Sequence, residues 1–165
     1  MKAFEYAMKM ELDGKEFYTE QAGRMADPAL RQIYEELADD EERHYRIFKA
    51  MMEGEKISPD EALRTGILAT TKNVFQKLKK SGAKVGQFPR GVIEAWEKAR
   101  EIEDKVEKFY REQATKVAEA GEKKIWNRIA DEEHKHWVAI NHVVDFVNRP
   151  NQWLEDAEWS HLDDY

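Results

Sequence analysis

"ADDEERHYRIF" (38–48) returns 92 positions later as "ADEEHKHWVAI" (130–140). Both stretches read Ala-Asp-acid-Glu-x-x-His-aromatic. A second pair shares the offset: "AMKMELDGKEFYTEQA" (7–22) lies over "AREIEDKVEKFYREQA" (99–114). Ala7, Glu11, Tyr18, Glu20, Gln21 and Ala22 recur as Ala99, Glu103, Tyr110, Glu112, Gln113 and Ala114. Unrelated charged helices do not hold one register across two segments. The chain therefore reads as a duplicated helical hairpin.

The periodicity places the repeated residues on helix faces. Along the second helix, Leu30, Tyr34, Leu37, Glu41, His44, Phe48 and Met51 recur at 3–4 spacing. Trp126, Ile129, Glu133, His136, Ile140, Val143 and Val147 do the same along the fourth. In each, one Glu and one His interrupt an apolar stripe at its middle. The first helix has Phe4, Glu11, Tyr18 and Met25, and the third has Trp96, Glu103, Tyr110 and Val117. Sevenfold spacing drifts only about 20° per step, so each set shares a face. Glu11 and Glu41 flank the first turn at equal distance, as Glu103 and Glu133 flank the second, so folding each hairpin brings its acidic residues level. Four carboxylates and two imidazoles then meet in one layer of the core.

Four long helices are expected: about Lys2 to Met25, Pro28 to about Glu53, Pro89 to Gly121, and Glu122 to about Asn148. Asp27 caps the second with Pro28 at its first position, and Pro150 stops the fourth. The bundle is expected over residues 1–150, with a crossover at 54–89. Within the crossover, "SPDEALRTG" reads as a short capped helix, and the basic "TKNVFQKLKKSGAK" as a solvated linker helix rather than a phosphate site. The tail, 151–165, carries two Trp and is expected to pack on the bundle or on a partner chain.

Composition narrows the function. One domain fits 165 residues, and a net charge of −7 argues against nucleic acid or an anionic membrane as partner. No apolar run approaches spanning length, and Met1 is followed by an amphipathic helix rather than a signal peptide, so a cytoplasmic location is expected. The absence of Cys excludes disulfides, thiolate catalysis and Cys-ligated metal centres. An empty layer of four buried carboxylates is costly, because each is desolvated and all repel. Two divalent cations match their charge. One Glu from each of two helices, and Glu-x-x-His from each of the other two, is the ligand set of a dimetal carboxylate site. The candidate ligands are Glu11, Glu41, His44, Glu103, Glu133 and His136, with Glu41 and Glu133 expected to bridge. A lone Glu-x-x-His on an acidic helix is weak evidence; two matched copies at mid-seam are specific.

Tyr18 and Tyr110 are the candidate catalytic residues, with packing or support of the ligands as their first reading and a redox role as the lesser one. Asp40 and Glu132 are each placed to accept the outer N–H of the opposing histidine, a solvated acid being the plain alternative. His134 falls off the seam and is expected exposed, and no partner is assigned to His142 or His161. Carboxylate and imidazole ligands suit iron, manganese or zinc alike.

These motifs resemble the ferritin-like diiron proteins, most closely the rubrerythrin-like branch, over all four helices. The resemblance implies an all-α, ferritin-like four-helix bundle with a long crossover, two irons, and reaction with hydrogen peroxide or dioxygen. Rubrerythrins proper also carry a rubredoxin domain with four Cys. This chain has none, so electrons must come from an external donor such as a rubredoxin-like protein. They bring a further Glu on the third helix as well; one turn after Glu103 this chain has Val106, matched by Gly14, leaving Glu97 and Glu107 as candidates. A peroxide-reducing oxidoreductase of oxidative-stress type, acting as a homodimer, is the first expectation. Ferroxidase activity for iron storage or detoxification, and a metal-stabilised helical binding module, are the alternatives.

Overall fold

A computed structural model describes residues 2–58, 64–82, 84–156 and 158–164. Six α-helices follow in order: α1 (Lys2–Arg24), α2 (Pro28–Met52), α3 (Ile67–Ser81), α4 (Arg90–Lys116), α5 (Ala120–Asn148) and α6 (Pro150–Glu155). A 3-10 helix, Glu158–Asp164, closes the chain. No strand occurs among the described residues, and none of their helices is long and apolar enough to cross a membrane. The architecture is all-α, as the periodicity requires.

Local chemistry sets the helix ends. Asp27 accepts from the amides of Ala29 (2.8 Å) and Leu30 (3.3 Å), and Pro28 follows, so α2 starts where expected. The expected end of the third helix at Gly121 is corrected to Lys116. Val117 turns extended, and Glu119 caps α5 by accepting from Gly121 and Glu122. Gly54 (φ 82°) and Gly82 (φ 66°) follow α2 and α3 in left-handed geometry, which glycine adopts without steric cost.

α1 packs along α2, and α4 along α5, as two hairpins. The duplication persists in their packing. Tyr34 and Trp126 are repeat mates, as are Phe4 and Trp96. Tyr34 stacks on Trp96 with centroids 3.8 Å apart, and Phe4 stacks on Trp126 at 5.4 Å. Each mate keeps its role across the bundle. The buried apolar residues form two clusters, one around Tyr18, Leu37, Trp96 and Val143, the other around Ala7, Phe48, Tyr110 and Ile129. Each belt of aromatic and aliphatic side chains uses residues from both hairpins.

The crossover departs from expectation. α3 is no solvated linker: Ile67, Leu68, Thr71, Val74 and Phe75 are buried against α2, α5 and the terminal 3-10 helix. Its lysines occupy the other face, and the 3–4 spacing of its apolar residues supplies the packing stripe. The short helix expected at "SPDEALRTG" falls mostly on residues 59–63, outside the described residues. Trp153 and Trp159 of the tail pack around Phe75, with Trp153 fully buried. The tail is therefore seated on the body of its own chain.

Candidate metal centre

Glu11, Glu41, His44, Glu103, Glu133 and His136 are all buried, none more than 3% exposed. They project from α1, α2, α4 and α5 into one polar layer. Two quartets can each converge on a cation: Glu11, Glu41, His44 and Glu133, and Glu41, Glu103, Glu133 and His136. Within each, the candidate ligand atoms lie within 4.8 Å of one another. Glu41 and Glu133 belong to both, which is the relation two bridging carboxylates have. The imidazole rings face each other with centroids 6.0 Å apart.

The histidines are held from outside. Nε2 of His44 lies 2.7 Å from Glu132 Oε1, and Nε2 of His136 lies 2.9 Å from Asp40 Oδ2. Donation from Nε2 turns each Nδ1 inward, where loss of its proton would offer a lone pair to a cation. Inward, His44 Nδ1 stands 2.8 Å from Glu133, and His136 Nδ1 stands 3.3 Å from both Glu41 and Glu103. Arg43 donates to Asp40 at 3.0 Å and to Glu132 at 2.8 Å, tying the two outer carboxylates together. Thr65, just before α3, also donates its hydroxyl to Asp40. The sequence placed Asp40 and Glu132 opposite the histidines; it gave no sign of Thr65 or of the arginine clamp.

The tyrosines cross between hairpins. Tyr18 of α1 donates to Glu103 Oε1 of α4 at 2.5 Å, and Tyr110 of α4 donates to Glu11 Oε1 of α1 at 2.6 Å. Each phenol thus fixes one oxygen of the opposite hairpin's glutamate and leaves the other free to face the layer. Burial raises both phenols far above their usual range, and the neighbouring carboxylates add to it, so they remain donors.

Charge in the layer is strongly frustrated. Burial pushes Glu41 far up, reinforced by Glu11, Glu133 and Glu103, and pushes Glu103 to about 8 with Glu133 adding to it. Burial opposes the charge on His44 and His136, yet Glu11 and Glu103 respectively carry them well above the usual imidazole value. Burial would also raise Asp40 and Glu132, but the bonds from His136 and His44 outweigh it and hold both low. Glu11 Oε2, Glu41 Oε1, His44 Nδ1, Glu103 Oε2 and both oxygens of Glu133 are buried without a well-formed hydrogen bond, the 2.8 Å approach of His44 Nδ1 to Glu133 Oε1 included. Buried polar atoms are ordinarily satisfied. Six orphaned atoms on four helices, all members of the two quartets, form a donor set that fits two cations.

Other candidates fall elsewhere. Glu97 is exposed, and Glu107 pairs with His134 (3.0 Å) and Arg111 (3.4 Å), so neither supplies the additional carboxylate. Gly14 lies against Glu41, and its repeat mate Val106 is buried in the apolar cluster around Tyr110. His134 is exposed as expected, whereas His142 is buried edge-on to Trp153, and burial lowers its affinity for a proton.

No curated protein and no solved structure matches the chain. The family model described as Rubrerythrin matches residues 2–140, a span that includes all six layer residues and both tyrosines. The chain belongs to the rubrerythrin family.

Proposed function

We propose that the chain is a diiron-carboxylate oxidoreductase that reduces hydrogen peroxide, or dioxygen, with electrons from a separate donor. The observation that carries this reading is the pair of quartets sharing Glu41 and Glu133. Glu11 and His44 would complete one ion's ligands, Glu103 and His136 the other's. Family membership supports iron, while the ligand chemistry equally suits manganese or zinc. When bound, two ferrous ions supply one electron each, enough with two protons to convert one peroxide into two waters.

The protein's part is to hold this layer and restrict its access. Tyr18 and Tyr110 fix the unshared glutamates from opposite sides, while Asp40 and Glu132 fix the imidazoles. Apolar belts flank ligands at most 3% exposed and offer little room for an organic substrate. A small oxidant suits that space. The repeat gives both halves the same ligand types, which favours retaining and cycling the metals over passing them on.

The test is anaerobic loading with ferrous iron, then stopped-flow oxidation by peroxide or dioxygen, gel filtration and iron assay. Faster oxidation by peroxide, with about two irons kept per chain, is expected. Accumulation of many ferric ions per chain would replace this reading by ferroxidase activity.

A further inference from the structure

Between Glu61 and Glu94 the chain has no acidic residue, yet it has seven cations, Arg64, Lys72, Lys77, Lys79, Lys80, Lys84 and Arg90. With −7 overall, the remainder carries −14. Solubility calls for mixed signs and gives no reason for this segregation. α3 buries its apolar stripe, so Lys77 and Lys80 turn outward, with Lys79 and Lys84 exposed beside them. Lys72 pairs with Asp163 at 3.0 Å and Arg90 with Glu94 at 3.1 Å. Among the described residues, Lys77, Lys79, Lys80 and Lys84 have no acidic partner.

A second observation connects this strip to the metal layer. Arg64, exposed, precedes Thr65, whose hydroxyl donates to Asp40 Oδ2. The same oxygen lies 2.9 Å from His136 Nε2. A hydrogen-bonded route therefore runs from the surface at the start of α3 to an inward-facing imidazole. The repeat-equivalent acid, Glu132, instead lines a cleft with Arg111, Arg128, Asp131 and Lys135.

We infer that the cationic face from Arg64 along α3 to Lys84 is the docking surface for a small acidic electron-carrier protein. The inference rests on the oxidoreductase reading, because a chain without cysteine has no iron–sulfur centre of its own to relay electrons. Charge complementarity selects the partner and speeds encounter. A 15-residue helix is about 22 Å long, which suits the footprint of a small protein. A nucleic acid duplex or a bilayer extends past such a strip and meets the acidic body within a Debye length of about 8 Å.

The test uses the full chain, metal-loaded and metal-free, with reduced rubredoxin as the acidic probe. Lys77→Glu, Lys80→Glu and Lys84→Glu are combined in one variant. A control of equal charge change combines Lys9→Glu, Lys108→Glu and Lys116→Glu, all on other helices. Calorimetry should show binding weakened about tenfold or more by the first variant and by raised salt, and far less by the control. Unchanged circular dichroism and metal content show that the variants keep their fold. Equal loss in both variants, or no binding of the probe to the unaltered chain, overturns the inference. So does strip-dependent binding of a DNA duplex or anionic vesicles in place of the probe, or a native mass that falls from dimer to monomer in the strip variant. If the strip binds rubredoxin but peroxide draws no electrons from it, the docking surface stands and the oxidoreductase reading fails.

Discussion

A Cβ added to Gly14 would lie 2.9 Å from Glu41 Oε2, closer than real Cβ contacts come. Glycine within a helix ordinarily costs about 1 kcal/mol relative to alanine, so its presence on a buried seam needs a reason. Space for a carboxylate common to both quartets is that reason. In Gly14→Ala, helix propensity and the displaced glutamate oppose each other, so metal-free stability should move by no more than about 1 kcal/mol. Metal affinity should fall about tenfold or more, as for other residues that set a ligand's position. A competition titration showing unchanged affinity would remove this role from Gly14. The ligands themselves differ in rank: Glu133→Ala should empty the site more than Glu11→Ala, because Glu133 serves both quartets and Glu11 one. Elemental analysis of the two variants compares them directly, and full metal content in Glu133→Ala would sink the assignment. The glutamates and histidines were legible because each breaks an apolar stripe in a repeated register. Gly14 was not, because its contribution is a missing atom, visible only once Glu41 is placed across from it.

At the scale of helices, the four long segments could be read from periodicity and capping, while their tertiary roles were only partly legible. Asp27 is a direct case: its side chain serves two amides at the start of α2, and Asp27→Ala should cost about 1 kcal/mol in thermal or urea denaturation. α3 shows where reading failed. Its cations suggested a solvated linker, yet Phe75 is fully buried among Phe146, Trp153 and Trp159. Composition reported its exposed face and concealed the narrower stripe below. Phe75→Ala should cost about 3–5 kcal/mol and loosen the tail with it, since the three aromatic partners come from α5, α6 and the 3-10 helix. Melting temperature together with Trp fluorescence tests both effects; an unshifted melt would return α3 to the status of a linker. Thr65 escaped the sequence reading for a related reason. Its hydroxyl matters through Asp40, a partner 25 residues away that no local pattern connects to it.

For the whole molecule, the polar layer makes stability depend jointly on metal and pH. Without cations, the folded state holds protons on Glu41 and on Glu103, whose pKa is raised from 4.5 to about 8. A group raised in the folded state contributes its full stability below its unfolded value and loses it as pH rises through the folded value. His44 and His136, also raised, act in the same direction from about 6.5 upward. Asp40 and Glu132 act oppositely: being depressed, they stabilise above the ordinary carboxylate range and lose that contribution in acid. Metal-free protein should therefore be most stable on the acid side of neutrality and should melt at falling temperature between about pH 5 and pH 8, by up to about 1.4 kcal/mol per unit for each proton involved. Cations replace those protons, so metal affinity should rise over the same interval while protons are released. Metal-loaded protein should melt higher throughout by mass action, with the largest gain at the alkaline end. Calorimetric melts with chelator and with metal at matched pH values measure the two curves. Parallel curves would show that protons and metal do not compete for one layer, and would count against the six ligands as a set.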